Sequence, residues 1–288
     1  MRVFVTGATG FVGSAVVQEL IAHGHRVLGL SRSDAGAGQL EAAGAEVARG
    51  TLDDHDVLAR AAAGCDGVIH TAFNHDFSKF AENARQDRRA IEVLGGALEG
   101  TTKPILVTSG TAMLAQGRVA TEADRPSGPS PRMSESGADD LVAKGVRASV
   151  VRLAPTTHGA GDHGFVPMLI ALAREKGVAA YIGEGNNRWS AVHRSDAARL
   201  YRLAIERGAG GERYHAVAEE AVLFKDIAAA IGKGLSLPVE SRPSEHFGWF
   251  AMFAGMDAAT SAAWTREALG WTPIGPSLAE DLENAAYF

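Results

Sequence analysis

Short runs of β-branched and other apolar residues alternate along the chain with longer stretches whose apolar positions recur every three to four residues. Val3 to Thr6, Arg26 to Leu30, Glu46 to Ala48 and Gly67 to His70 read as strands, and a helix is predicted from Phe11 to His23. The alternation continues through a helix from about Phe80 to Leu98, a strand from Pro104 to Thr108, a helix around Glu135 to Ala143 and a strand from Ala148 to Leu153. Gly24, Gly44 and Gly145 stand at the joins, where helix ends call for glycine. Strands spaced by helices predict a parallel sheet covered on both faces, the doubly wound α/β arrangement of a Rossmann fold.

Beyond residue 155 the pattern loosens. Helices are predicted at about Val166 to Lys176, Ser195 to Glu206, Leu223 to Lys233 and Thr260 to Leu269, with short strands between them. The expected organisation is a nucleotide-binding unit over residues 1–155, open to re-entry by later segments, and a smaller, mostly helical substrate lobe over 156–288. Gly117 to Pro131, rich in Gly, Pro, Ser and Thr, reads as a long loop over a site. The apolar segment Phe247 to Phe253 reads as lobe core or a subunit contact in preference to a pocket wall.

Composition narrows the function classes. A formal net charge of −6 and the lack of any Lys/Arg cluster argue against nucleic acid as a partner. Cys65 is the single cysteine, which rules out an internal disulfide and a cysteine-rich metal site. Met1 to Val5 lead straight into the first motif without a secretory pattern, and no apolar run reaches membrane-spanning length. The expectation is a soluble cytoplasmic protein, acting on a small molecule without membrane or metal.

The motif is Thr6-Gly7-Ala8-Thr9-Gly10-Phe11-Val12-Gly13, between a strand and a helix. In that setting Gly7 permits a tight turn, Gly10 lets backbone approach a pyrophosphate, and Gly13 lets helix and strand pack closely. The helix start then presents unsatisfied N–H groups and a partial positive charge to the phosphates. A reader of NAD(H) usually carries a carboxylate at the end of the second strand to hold the ribose 2′-hydroxyl. Here that strand ends Gly29-Leu30-Ser31-Arg32-Ser33. Arg32 can pair with a 2′-phosphate while Ser31 and Ser33 supply hydroxyls, which favours NADP(H); Asp34 keeps NAD(H) open. After the third strand, in Gly50-Thr51-Leu52-Asp53-Asp54, Asp53 is placed to accept from an adenine amino group, to cap the next helix, or both.

These residues resemble an extended or atypical short-chain dehydrogenase/reductase of the NAD-dependent epimerase/dehydratase type, over nearly the whole chain. Val68-Ile69-His70-Thr71-Ala72, leading to Phe73, is similar to the family's fourth strand against the cofactor, and Leu106-Val107-Thr108-Ser109 to its fifth. Arg152-Leu153-Ala154-Pro155 and Val192-His193-Arg194-Ser195-Asp196-Ala197 are similar to later landmarks, the second with Ser195 or Asp196 capping a helix. The resemblance implies a possible homodimer and places Ser109 and Thr111 where family members hydrogen-bond a substrate carbonyl.

The family's usual acid is a Tyr with a Lys four positions on. Tyr181, Tyr201, Tyr214 and Tyr287 have no such lysine, and the corresponding region reads Ser130-Pro131-Arg132-Met133-Ser134-Glu135. Substitutes are at hand. His75 titrates near neutrality and follows the fourth strand, with Lys79 four residues later, a spacing that resembles the basic pair of some atypical members. Against this, Asn74, His75 and Asp76 also suit a polar turn before a helix. Ser109 and Thr111 divide evenly between substrate contact and local capping. Arg132 reads as a surface arginine before an anion anchor, and His158 and His163 as parts of a substrate-facing loop before metal ligands. Trp189 and His193 fit packing beneath the lobe better than a cleft. Three functions follow in order: an NADP(H)-dependent reductase of a small carbonyl or imine, a silent NADP(H)-binding regulator, and an epimerase or dehydratase.

Overall fold

The computed structural model of the protein describes residues 1–112, 114–115, 117–126, 132–283 and 287–288. The chain runs β1 (Arg2–Thr6), α1 (Phe11–Ala22), β2 (Arg26–Ser31), α2 (Asp34–Ala42), β3 (Glu46–Arg49), α3 (His55–Ala63), β4 (Gly67–His70), α4 (Phe80–Gly96), β5 (Pro104–Gly110), α5 (Ser134–Ala143) and β6 (Arg147–Leu153). It continues β7 (Thr156–His158), α6 (Phe165–Lys176), β8 (Ala179–Tyr181), β9 (Arg188–His193), α7 (Arg194–Arg207), β10 (Arg213–Ala216), β11 (Glu219–Leu223), α8 (Phe224–Leu235), β12 (Val239–Ser241), α9 (Ala251–Ala254), α10 (Ala263–Leu269) and α11 (Leu278–Leu282).

Seven strands form one sheet in the order β10-β6-β5-β4-β1-β2-β3, with every pair parallel. Alternation of side chains sends Val3, Val5, Ile69, Leu106 and Val151 to one face, where they pack with α1 and α7. Their neighbours Phe4, Val68, Ile105, Val107 and Val150 face α3, α4 and α5. Each such side chain, withdrawn fully from water, contributes about 1.5–3 kcal/mol. Because β1 connects to β2 on one side and pairs with β4 on the other, a crevice opens at the carboxyl ends of β1 and β4. Open α/β sheets bind ligands at such a switch point.

The later segments interleave with the first unit: α7 packs on α1, and β10 completes the large sheet. The remaining strands form two small sheets, β11-β9-β7 and β12-β8, around a third core of α6, α8 and buried aromatics. Phe247 and Phe250 enter that core, whereas Trp249 and Met252 stay exposed.

Several local expectations need correction. The last predicted long helix starts at Ala263, not Thr260, because Thr260 is held in a bridge with Ala120. Neither Ser195 nor Asp196 caps α7: His193 does, accepting from the Ser195 amide, while Asp196 turns inward to the amides of Ile274 and Gly275. Asp54 occupies the cap position of α3 in place of Asp53, its carboxylate closing a turn onto the Thr51 amide at 2.6 Å. Within the loop read at Gly117 to Pro131, Arg118 pairs with Asp124; residues 116 and 127–131 lie outside the described residues.

Candidate active site

At the crevice, β1 and β4 run in register to Thr6 opposite His70 and then diverge. Gly7 turns the chain with φ +66°, and a Cβ there would meet the Ala72 amide nitrogen at 2.7 Å. A Cβ on Gly13 would lie 2.0 Å from the Gly7 carbonyl oxygen, so close packing of α1 on β1 demands glycine. The start of α1 at Gly10 takes no side-chain cap, which leaves its first-turn amides facing the exposed Thr9–Gly10 corner. Thr71 ties the second wall of the crevice to the first, donating its hydroxyl to the Thr6 carbonyl at 2.7 Å. A cradle this narrow, with an uncapped helix start, suits a pyrophosphate and hence a dinucleotide.

Beneath it runs a buried hydrogen-bonded chain. Thr6 Oγ1 meets His70 Nδ1 at 2.7 Å, His70 Nε2 meets Asp87 at 3.0 Å, and Ser134 donates to the other Asp87 oxygen at 2.6 Å. Arg132 Nε then donates to Ser134 Oγ at 3.0 Å. This corrects the reading of Arg132 as a surface side chain: it is half-buried, donates to the Thr108 carbonyl at 3.2 Å and lies 4.4 Å from the Phe73 ring centre. The sequence does not show this setting, because Thr108 and Phe73 are distant along the chain and Asp87 is reached only through Ser134.

His75 stands over the same cleft, edge-on to Phe73 at 5.3 Å. Desolvation, followed by the Arg132 and His163 charges, holds its pKa below the ordinary histidine value. His163 in turn meets Phe11 edge-on at 5.8 Å. Lys79 is exposed at the end of the 3-10 turn Phe77–Lys79, which Asp76 caps through the Ser78 amide. The polar-turn reading therefore holds for Asn74 and Asp76, while His75 points to the cleft group.

Other candidates are committed inside the fold. Thr108 donates its hydroxyl to the His70 carbonyl at 2.7 Å and, having no second proton, accepts from Tyr201 at 2.6 Å. Ser109 is buried against Glu135, and Thr111 against Ser190 Oγ at 3.3 Å. Burial disfavours the Glu135 carboxylate, yet hydrogen bonds and charge from Arg152, with Ser109 and Arg213, leave its pKa below the usual range. Leu52 is half-buried against the α3 core, Pro155 half-buried after β6, and Asp53 accepts from Gln86 at 2.7 Å at the surface.

At the end of β2, Ser31 is a correction: its hydroxyl is buried and donates to the Ser33 carbonyl at 3.0 Å, so it is not presented outward. Ser33 caps α2 through the Gly36 amide. Arg32 is exposed there. Arg49, unnoticed in the sequence, reaches across from β3 to pair with Asp34 at 2.7 Å. It pairs with the carboxylate two residues after Arg32.

The paired histidines separate. His158 is fully buried with Nδ1 2.6 Å from Asp281, and His163 is exposed at the cleft. Trp189 packs in the third core. No cluster of three metal-ligating side chains and no helix long and apolar enough to cross a membrane occurs among the described residues.

Residues 3–217 match the NAD dependent epimerase/dehydratase family. An uncharacterized protein of Schizosaccharomyces pombe is 50% identical over 295 residues, spanning 100% of both chains. The 4-hydroxy-2-methyl-3-oxo-4-farnesyl-3,4-dihydroquinoline-1-oxide ketoreductase of Stigmatella aurantiaca is 33% identical over 226 residues, 74% of this chain and 67% of that protein. Among solved structures, the dTDP-glucose 4,6-dehydratase DesIV of Streptomyces venezuelae, with NAD bound, shares the fold at TM-score 0.79 and 20% identity, covering 99% of this chain and 96% of that one.

Proposed function

The chain belongs to the NAD dependent epimerase/dehydratase family, and from that premise we propose that it is an NADP(H)-dependent reductase of a small carbonyl or imine compound. The observation that carries this reading is the Arg132 guanidinium over Phe73, with His75 edge-on to the same ring, at the crevice of the uncapped glycine turn. Thr6 to Gly13 and Thr71 to Phe73 would form the walls around the cofactor. Arg32, with Arg49 cancelling Asp34, would face the 2′-phosphate, and the Ser33 hydroxyl lies beside them.

The nicotinamide, when bound, supplies the hydride that reduces the substrate carbon. The chain's own residues deal with the charge and the proton. Arg132, fixed by Ser134, Thr108 and Phe73, stabilises negative charge growing on the substrate oxygen or nitrogen in a poorly solvated site. His75 in its imidazolium form gives that atom a proton and regains one from solvent, to which it is open. One hydride and one proton thus convert C=O to CH–OH, or C=N to CH–NH. The reductase activity named for the Stigmatella aurantiaca relative supports this direction.

The test is NADPH consumption by purified protein with a panel of aldehydes, ketones and imines. Turnover of at least one class is expected; binding of NADPH without turnover of any would overturn the reading. A second reading, a silent dinucleotide-dependent regulator, draws on the commitment of Ser109 and Thr111 inside the fold. It requires unequal affinity for the oxidised and reduced forms, since a ligand pair bound alike shifts no equilibrium.

A further inference from the structure

The first residue of α7 is a cation, Arg194, in the position where a helix dipole disfavours positive charge. Its guanidinium carbon lies 5.2 Å from the ring centre of Phe11, the first residue of α1. Eight residues further along both helices, Arg202 Nε meets Glu19 at 2.8 Å. The two helices therefore run side by side in the same direction, and their amino ends meet at the glycine turn.

Among the described residues no carboxylate pairs with that charge, and its contact is the Phe11 ring. Arg194 makes no hydrogen bond or ion pair among the described residues, and it is half-buried. The acid in its own helical turn, Asp196, is taken by the Ile274 and Gly275 amides and by Arg199. Asp281 is held by His158 at 2.6 Å. Burial raises the pKa of Asp162, which accepts from the Gly164 amide and the Tyr287 hydroxyl. The route of the arginine stem is also built in: Gly159, at φ +139°, would place a Cβ 3.2 Å from Arg194 Cγ and 2.9 Å from His193 Nε2. A side chain there would crowd the Arg194 stem and the His193 ring.

We propose that Arg194 is a pyrophosphate ligand of the dinucleotide, carried to the glycine turn by α7 and threaded past Gly159. The inference rests on the reading of that turn as a dinucleotide site. It adds a binding residue from outside the first 155 residues, so that cofactor and the later helices hold one another. A guanidinium can bridge the two phosphate groups with paired N–H donors, which an ammonium matches only as a point charge.

The test compares wild type, Arg194→Met and Arg194→Lys by equilibrium titration with ADP-ribose, which contains a pyrophosphate, and adenosine 2′-monophosphate, which does not. Arg194→Met is expected to weaken ADP-ribose by about tenfold or more and to leave adenosine 2′-monophosphate and the unfolding midpoint unchanged. Arg194→Lys is expected to recover part of the loss. Equal weakening of both ligands, or none of either, would overturn the assignment. Failure of the wild type to bind ADP-ribose at all would instead overturn the dinucleotide reading beneath it.

Discussion

The Arg132 guanidinium rests 4.4 Å from the centre of the Phe73 ring, so that a cation from just before α5 closes over the segment that follows β4. Phe73 lends its π-face, and Ser134 and the Thr108 carbonyl fix the orientation. A lone buried cation is costly; here Asp87, reached through Ser134, balances it from behind.

Arg132→Met removes this charge while keeping much of the side chain's volume. On the proposed mechanism kcat/KM for carbonyl reduction is expected to fall by about 10²–10³, the usual loss when a preorganised oxyanion stabiliser is deleted. NADPH affinity, measured by titration, is expected to stay within about twofold. A parallel loss of cofactor binding would place Arg132 in the cofactor site instead.

Proton donation by His75, as proposed, carries a pH dependence of defined sign. Its pKa lies below the ordinary value of 6.5, chiefly through desolvation, with Arg132 and His163 adding repulsion. On the proposed mechanism the imidazolium is the proton donor, so kcat/KM for reduction should be highest at acid pH and decline as pH rises through that depressed pKa. Arg132→Met removes one repulsive charge and should move the limb to higher pH. In His75→Gln the limb should disappear. A pH–rate profile of the three proteins is the check; an unchanged limb in His75→Gln would assign it to another group.

At the adenosine end, Arg32→Ala is expected to weaken NADPH by about tenfold or more, the usual scale for losing a charge-assisted hydrogen bond, with little effect on NADH. Arg49→Ala differs in a useful way, because it also releases Asp34. NADPH should weaken and NADH hold or improve, since a freed carboxylate suits a ribose 2′-hydroxyl and repels a phosphate. Titrations of both cofactors against both variants test this; identical losses for NADH and NADPH would contradict it.

The ionic interior behind the cleft makes a stability claim. Arg152, fully buried, donates to both Glu135 oxygens at 2.9 and 2.7 Å and to His215 Nε2 at 3.1 Å. An arginine only donates, so His215 is held neutral with Nδ1–H directed to the Ser261 carbonyl at 2.7 Å. Arg152→Met leaves Glu135 undercompensated and should cost about 3–5 kcal/mol in urea unfolding. Adding Glu135→Leu to it should recover much of that. His215 titrates below its ordinary range, chiefly through burial, so the unfolded chain binds the proton more readily. Its contribution is intact above the unfolded value of about 6.5 and is lost as pH falls from there toward the folded pKa.

What could be read from the sequence was whatever periodicity or local spacing encodes. The strands to Thr6, His70 and Leu153 and the turn at Gly7, Gly10 and Gly13 follow from apolar runs and glycines within a few residues of each other. Arg132, Arg49 and Arg194 gained their meaning only from the fold. Each reaches a partner on another element, namely Phe73, Asp34 and Phe11, and no spacing rule connects those pairs. The Ser31 hydroxyl was misread for a complementary reason: residue type reveals a donor, not whether a nearby carbonyl has already taken it.

The central claim is that the glycine turn holds a nicotinamide dinucleotide, and Gly10 isolates it. A Cβ there meets nothing nearer than the Gly7 carbonyl at 3.1 Å, so Gly10→Ala should fold while filling the space a pyrophosphate needs. The decisive measurement is a fluorescence titration of NADPH against wild type and Gly10→Ala with matched unfolding midpoints. Saturable one-to-one binding by the wild type and a loss of about tenfold or more in the variant are expected. Equal affinity in the two proteins, or no binding by the wild type, would contradict it.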